Sequence, residues 1–125
     1  MENNSPIGWY IASYVIRFIE IEDGASNNPD KKFLVWENSI LVKASNKSEA
    51  YDKTVNFACE NCEPYEGGKL ATPVKWRFEG VTSLLAIYEE FEDGSEIMYR
   101  EYNQKLKKIR KGILTRTEAI GENDA

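Results

Sequence analysis

Val74-Lys75-Trp76-Arg77-Phe78-Glu79-Gly80 decides how the rest of this chain is read. Val74, Trp76 and Phe78 fall in one phase, and Lys75, Arg77 and Glu79 in the other. Successive side chains of a strand point to opposite faces, so the run predicts a strand with one apolar and one charged face. Gly80 stands where that phase breaks, as a bulge or sharp bend requires. Val81 to Tyr88 continues with apolar residues in both phases, which predicts a central strand. Asp93-Gly94 is a tight-hairpin signal, and Glu96 to Tyr102 is expected to return as the last strand.

Working back toward the N-terminus, a second alternating run fills Trp9 to Glu20, with Tyr10, Ala12, Tyr14, Ile16 and Phe18 in one phase. Ile19 and Ile21 move the apolar residues to the other phase. Either a bulge near Phe18 or a strand buried on both faces produces that change. Residues 22–30, rich in Asp, Gly, Asn and Pro, read as a hairpin loop. A second strand is expected from Phe33 to Ala44. Asn46, with Glu49 three residues on, is a helix-start signature. At 100° per residue the helix that follows gathers Ala50, Tyr51, Val55, Phe57, Ala58 and Cys62 on one side. Pro64 and Gly67-Gly68 mark its end and a connecting loop. Tyr102, Leu106, Ile109 and Ile113 form the stripe of a short C-terminal helix, and residues 115–125 read as a polar tail.

The expected fold is therefore α+β. It is a mostly antiparallel sheet of about four strands in the order β-β-α-β-β-α, with one helix across it and a short C-terminal helix. A chain of 125 residues fits one domain, with an ordered core over about 8–114. The N-terminus does not read as a signal peptide, and no run approaches the ~18 apolar residues that span a bilayer. With two cysteines in the chain, far below the density of a secreted disulfide scaffold, the expected location is cytoplasmic.

Composition excludes several chemistries. The chain has no histidine, which removes His-based triads, imidazole acid–base catalysis and the usual zinc hydrolase sites. Gly67-Gly68-Lys69 lacks the spacing of a phosphate-binding loop. The net charge of −5 gives no general attraction to phosphate backbones, so nucleic acid is disfavoured as the main partner. Cys59-Glu60-Asn61-Cys62 supplies two of the four ligands that structural zinc needs, and it sits at the wrong end of the helix for an activated redox thiol. Neither a metal nor a cofactor is expected, and no catalytic residue is assigned.

Two constellations remain as binding candidates. Glu89, Glu90, Glu92 and Asp93, with Glu96 beyond the turn, make an acidic hairpin. It reads either as a solvated tip or as a decoy surface for a basic partner such as the cationic groove of a nuclease. Trp36 and Trp76, with neighbouring Glu37 and Arg77, read either as core or as a pocket for a planar, nucleotide-like ligand. Residues 104–125 carry six basic and three acidic groups, opposite in sign to the rest of the chain. Lys105, Lys107, Lys108, Arg110 and Lys111 form a basic helix face.

The ordered set Trp9-Tyr10, Val35-Trp36-Glu37, Ile40-Leu41-Val42-Lys43-Ala44, Glu49-Ala50, Phe78-Glu79-Gly80-Val81 and Asp93-Gly94-Ser95-Glu96 resembles a bacterial family known as domain of unknown function 4288. The resemblance spans most of residues 8–100. It implies a small β-rich domain with one helix across the sheet and carries no catalytic residues. The functional expectation is a non-catalytic bacterial binding protein, an inhibitor or immunity-type partner of a toxin or nuclease. The alternative is a small-molecule binding domain, and neither reading excludes a homodimer.

Overall fold

In the structure, a computed structural model, residues 4–60, 62–67 and 72–121 are described. The expectations placed on Met1–Asn3, Gly68-Lys69 and the last four residues lie outside them. The elements are β1 (Trp9–Glu20), β2 (Val35–Lys43), α1 (Lys47–Cys59), β3 (Tyr65–Gly67), β4 (Thr72–Ile87), α2 (Leu106–Lys111) and α3 (Arg116–Ile120). The strands form one antiparallel sheet in the order β2-β1-β4-β3, so the α+β expectation holds.

The alternating run around Trp76 lies in β4, which pairs with β1 from Val74 to Ile87. Two register shifts interrupt this ladder, leaving Thr82 and Glu79 as the extra residues on either side of Gly80–Val81. Gly80, at φ 158°, supplies the backbone freedom that the double bulge needs. β1 itself runs unbroken against β2 from Trp9↔Lys43 to Arg17↔Val35. No bulge occurs in it near Phe18. The phase change at Ile19 belongs to a strand buried on both faces: Tyr10 and Ala12 on one, Ile11 and Ile19 on the other.

Tyr10, Ala12, Val42, Ala44 and Ala50 form the buried cluster, with Ile40, Leu84 and Ala86 packed around it. The Asn46 Oδ1 accepts from the Glu49 N–H at 2.8 Å and starts α1 as expected. The buried stripe of α1 is Ala50, Thr54 and Ala58, while Tyr51 and Phe57, expected inside, are exposed. Small residues one turn apart bring the helix backbone close to a sheet face already filled by Tyr10, which leaves the rings to the flanks. Thr54 tolerates full burial because its hydroxyl donates to the Ala50 carbonyl at 2.7 Å.

Three further expectations are corrected. Residues 96–102 are not a strand, and the fourth strand is instead the short β3, paired with Thr72–Val74. Val81–Ile87 is not central, since among the described residues it pairs with β1 alone. The stretch read as a polar tail contains α3, started by a reciprocal capping box between Thr115 and Glu118. Neither α2 nor α3 contacts the sheet or α1, and Tyr102, Leu106, Ile109 and Ile113 are all exposed. Among the described residues, no helix is long and apolar enough to cross a membrane.

One residue outside the regular elements ties the sheet's end together. Buried Ser5 accepts from the Trp9 N–H at 3.1 Å and the Ile7 N–H at 3.3 Å, and its hydroxyl donates to the Ile87 carbonyl. The Ser5 N–H in turn donates to the fully buried Tyr10 hydroxyl at 3.0 Å. Replacing Ser5 by Ala leaves buried backbone groups without partners and is expected to cost roughly 1–3 kcal/mol in urea unfolding, with a native-like circular dichroism spectrum.

Candidate functional site

The acidic residues sit on a turn held by three local features. The Ser95 N–H donates to the Glu92 carbonyl at 2.9 Å, and Gly94 takes the φ of 88° that the turn requires. The Ser95 hydroxyl accepts from the Glu92 N–H at 2.8 Å and donates to the Glu90 carbonyl at 3.2 Å. Phe91 packs edge-to-face on Trp9 at 5.6 Å, which draws residues 88–92 away from the line of β4. This explains why the hairpin turn forms while its return strand does not. Apolar Ile97, Met98 and Tyr99 also occupy both phases, so no buried face selects a register there.

Glu89, Glu90, Glu92, Asp93 and Glu96 are all exposed, and among the described residues none of them is in an ion pair. Glu89 and Glu96 are brought together across a cleft of about 500 Å³, whose walls are Leu85–Glu89 and Glu96–Tyr99 with Lys47 contributing from α1. Five carboxylates on one turn, with Lys47 as the single cation lining the cleft, leave a net negative potential that attracts a cationic surface.

The second candidate does not assemble. Trp36 and Trp76 meet at 4.7 Å between ring centroids, and Trp76 also packs on Phe18 at 5.4 Å. Glu37 and Arg77, each one residue further along its strand, belong to the opposite face. On that face the Thr82 hydroxyl donates to Glu37 at 2.6 Å. Glu79 is taken by Arg17 rather than Arg77, at 2.7 Å. The quartet is therefore split across the sheet, with Trp36 and Trp76 in contact on one face, Glu37 and Arg77 at separate register positions on the other, and no Arg fork beside the aromatic faces.

Sequence reading passed over what lies on that second face. Ser39, Ser13 and Ser83 stand in register on three adjacent strands, with the Ser13 and Ser39 hydroxyls 2.7 Å apart. Arg17 bonds Glu79, donates to the Ser26 carbonyl and lies 4.4 Å over the Phe33 ring, pinning the 21–33 loop. The signal was present in Ser13 and Arg17, the two polar breaks in an otherwise apolar run, but their partners are distant in sequence.

Cys59 and Cys62 are free thiols. Burial, reinforced by the nearby Cys59, pushes the Cys62 thiol above its ordinary pKa. Its Sγ also donates to the Ala58 carbonyl at 3.2 Å. Among the described residues, no cluster of three metal-ligating side chains occurs.

A family model described as Domain of unknown function (DUF4288) matches residues 9–99. No curated protein and no solved structure matches the chain. The matched stretch includes the whole sheet, α1 and the acidic turn, and it stops before α2 and α3.

The thiol environment is open to a direct test. A raised pKa lowers the thiolate fraction at any given pH, so iodoacetamide at pH 8 is expected to label exposed Cys59 first. Mass spectrometry over a pH series should show the Cys62 rate still climbing where an ordinary thiol has levelled. Equal rates at both positions across the series would contradict this assignment.

Proposed function

This chain belongs to the DUF4288 family, and we propose that it is a non-catalytic binding protein whose partner is a basic protein surface. The acidic turn at Glu89, Glu90, Glu92, Asp93 and Glu96 is the contact. The observation that carries this reading is the gathering of exposed carboxylates, unpaired among the described residues, on a turn anchored to the sheet by Phe91. A preformed turn loses little conformational freedom on docking, and its negative field accelerates encounter with a cationic partner. An inhibitor or immunity-type role toward a bacterial toxin or nuclease fits this chemistry, because a cationic substrate groove is the surface such a turn would block. A cytoplasmic site of action goes with that role. The small-molecule alternative loses support from the separation of Trp36 and Trp76 from Glu37 and Arg77.

Two measurements separate the readings. Once a partner is isolated by crosslinking in the native host, its association with the wild-type chain is expected to slow steeply as salt rises. Reversing Glu89, Glu90 and Glu92 to Lys should cut the rate by at least about tenfold while leaving the melting curve in place, since exposed turn residues tolerate substitution. Association that is indifferent to both salt and charge reversal would overturn the proposal. For the aromatic pair, Trp76→Ala is expected to destabilise the protein by roughly 2–4 kcal/mol, because Trp76 packs against Trp36 and Phe18. A stable Trp76→Ala protein would reopen the ligand-pocket reading.

A further inference from the structure

The two outer edges of the sheet are not alike. Along β4 the backbone is broken by two bulges, carries Gly80, and is covered at one end by β3. Bulges and short covering strands are devices by which sheet edges avoid pairing with other chains. β2 has no such device along its length. It runs nine residues in unbroken register with β1, contains no proline or glycine, and exposes Val35 by 52%, Trp36 by 53% and Leu41 by 50%.

Which backbone groups point outward follows from the ladder. The Ala44 N–H donates to the Gly8 carbonyl at 2.9 Å, and the Phe18 N–H to the Leu34 carbonyl at 3.0 Å. The even residues of β2 therefore turn their backbone groups toward β1, and Val35, Glu37, Ser39, Leu41 and Lys43 turn theirs outward. One outward group is already occupied, since the Lys53 ammonium donates to the Lys43 carbonyl at 2.6 Å.

We propose that the β2 edge pairs antiparallel with the β2 edge of a second copy of this chain, about a two-fold axis at Ile40. That register sets Glu37 opposite Lys43 of the second copy, and by symmetry Lys43 opposite the second copy's Glu37. Ser39 faces Leu41, and Ile40 faces Ile40. Paired residues of an antiparallel ladder lie on the same face, so both charge pairs are within reach. Ser39 and Leu41 exchange backbone hydrogen bonds with their opposites, and the Lys43 N–H donates to the opposite Glu37 carbonyl. This makes about six bonds in all and leaves both Lys53 caps in place.

The charge pattern selects a second copy over an unrelated strand, because Glu37 and Lys43 are the only charges on β2 and this axis pairs each with its opposite. An axis at Asn38 would leave both charges without charge partners and set Lys43 against Phe33, which lies outside β2. The Thr82 hydroxyl bonds one Glu37 carboxylate oxygen, which leaves the other for the second copy's Lys43. None of these contacts involves the acidic turn, so the proposal stands or falls apart from the proposed function.

Sedimentation equilibrium of the full chain tests it, with circular dichroism melts run on every variant. The wild type is expected to be dimeric at tens of micromolar. Glu37→Lys and Lys43→Glu each set like charges face to face twice, and each should raise the dissociation constant at least about tenfold. The combined Glu37→Lys/Lys43→Glu variant restores opposite charges and should dimerise like the wild type. Thr82→Ala removes the same intrachain bond to Glu37 without changing charge, and should also leave the dimer intact. A monomeric wild type, single reversals that dimerise normally, or a combined variant that stays monomeric would each overturn the proposal.

Discussion

A strand hydrogen-bonded along both sides has no freedom to slip, and β1 is such a strand. Its register with β2 and with β4 determines which residues meet the helix and which meet solvent. Because side chains alternate, a slip of one residue would move Tyr10 and Ala12 off the face that α1 covers and put Ile11 and Ser13, buried on the opposite face, under the helix instead. The bulges at Thr82 and Glu79 let β4 carry two residues more than β1 over the same span without disturbing that register. α1 then lies where small residues permit, over Tyr10, Ala12 and Val42.

The legible part of this fold was the part governed by alternation. The two long runs that became β1 and β4, the run that became β2, and the break at Gly80 all follow from period-two patterning. α1 was legible from Asn46 and Glu49, but the choice of its buried side was not. Hydrophobicity alone favoured Tyr51 and Phe57, whereas close approach to the sheet favoured Ala50, Thr54 and Ala58. β3 is three residues long, too short for any periodic signal. α3 was missed although Thr115-Arg116-Thr117-Glu118 carries the capping-box signature, because the polar composition around it suggested a tail. The return strand after Asp93-Gly94 was over-read, since turn chemistry specifies the reversal but not the ladder beyond it.

The candidate sites divide on the same physical line. The acidic cluster was legible because its members are contiguous in sequence and share one turn, so the chain itself brings them together. The aromatic constellation mixed residues adjacent in sequence, Trp36 with Glu37 and Trp76 with Arg77, and adjacency in a strand means opposite faces. Only the cross-strand half of that grouping, Trp36 with Trp76, survives in space. Contacts such as Arg17 with Glu79 or Thr82 with Glu37 depend on the bulges, which shift β4 partners by positions that alternation does not reveal.

The sheet order puts the acidic turn and the free edge of β2 on different strands. The exposed edge belongs to β2, and the acidic turn follows β4, two strands across the sheet at about 10 Å by ordinary strand spacing. Phe91 anchors the turn on Trp9, at the end of β1 paired with Lys43, which is the end of β2 nearest the helix start. A two-fold axis through Ile40 runs outside the edge of β2, while the turn is anchored one strand in, where Phe91 packs on Trp9 and the Lys43 ammonium lies 6.0 Å from the same ring. Partner binding and self-association would then use separate residues: carboxylates on a turn for the first, backbone groups and one charge pair on a strand edge for the second.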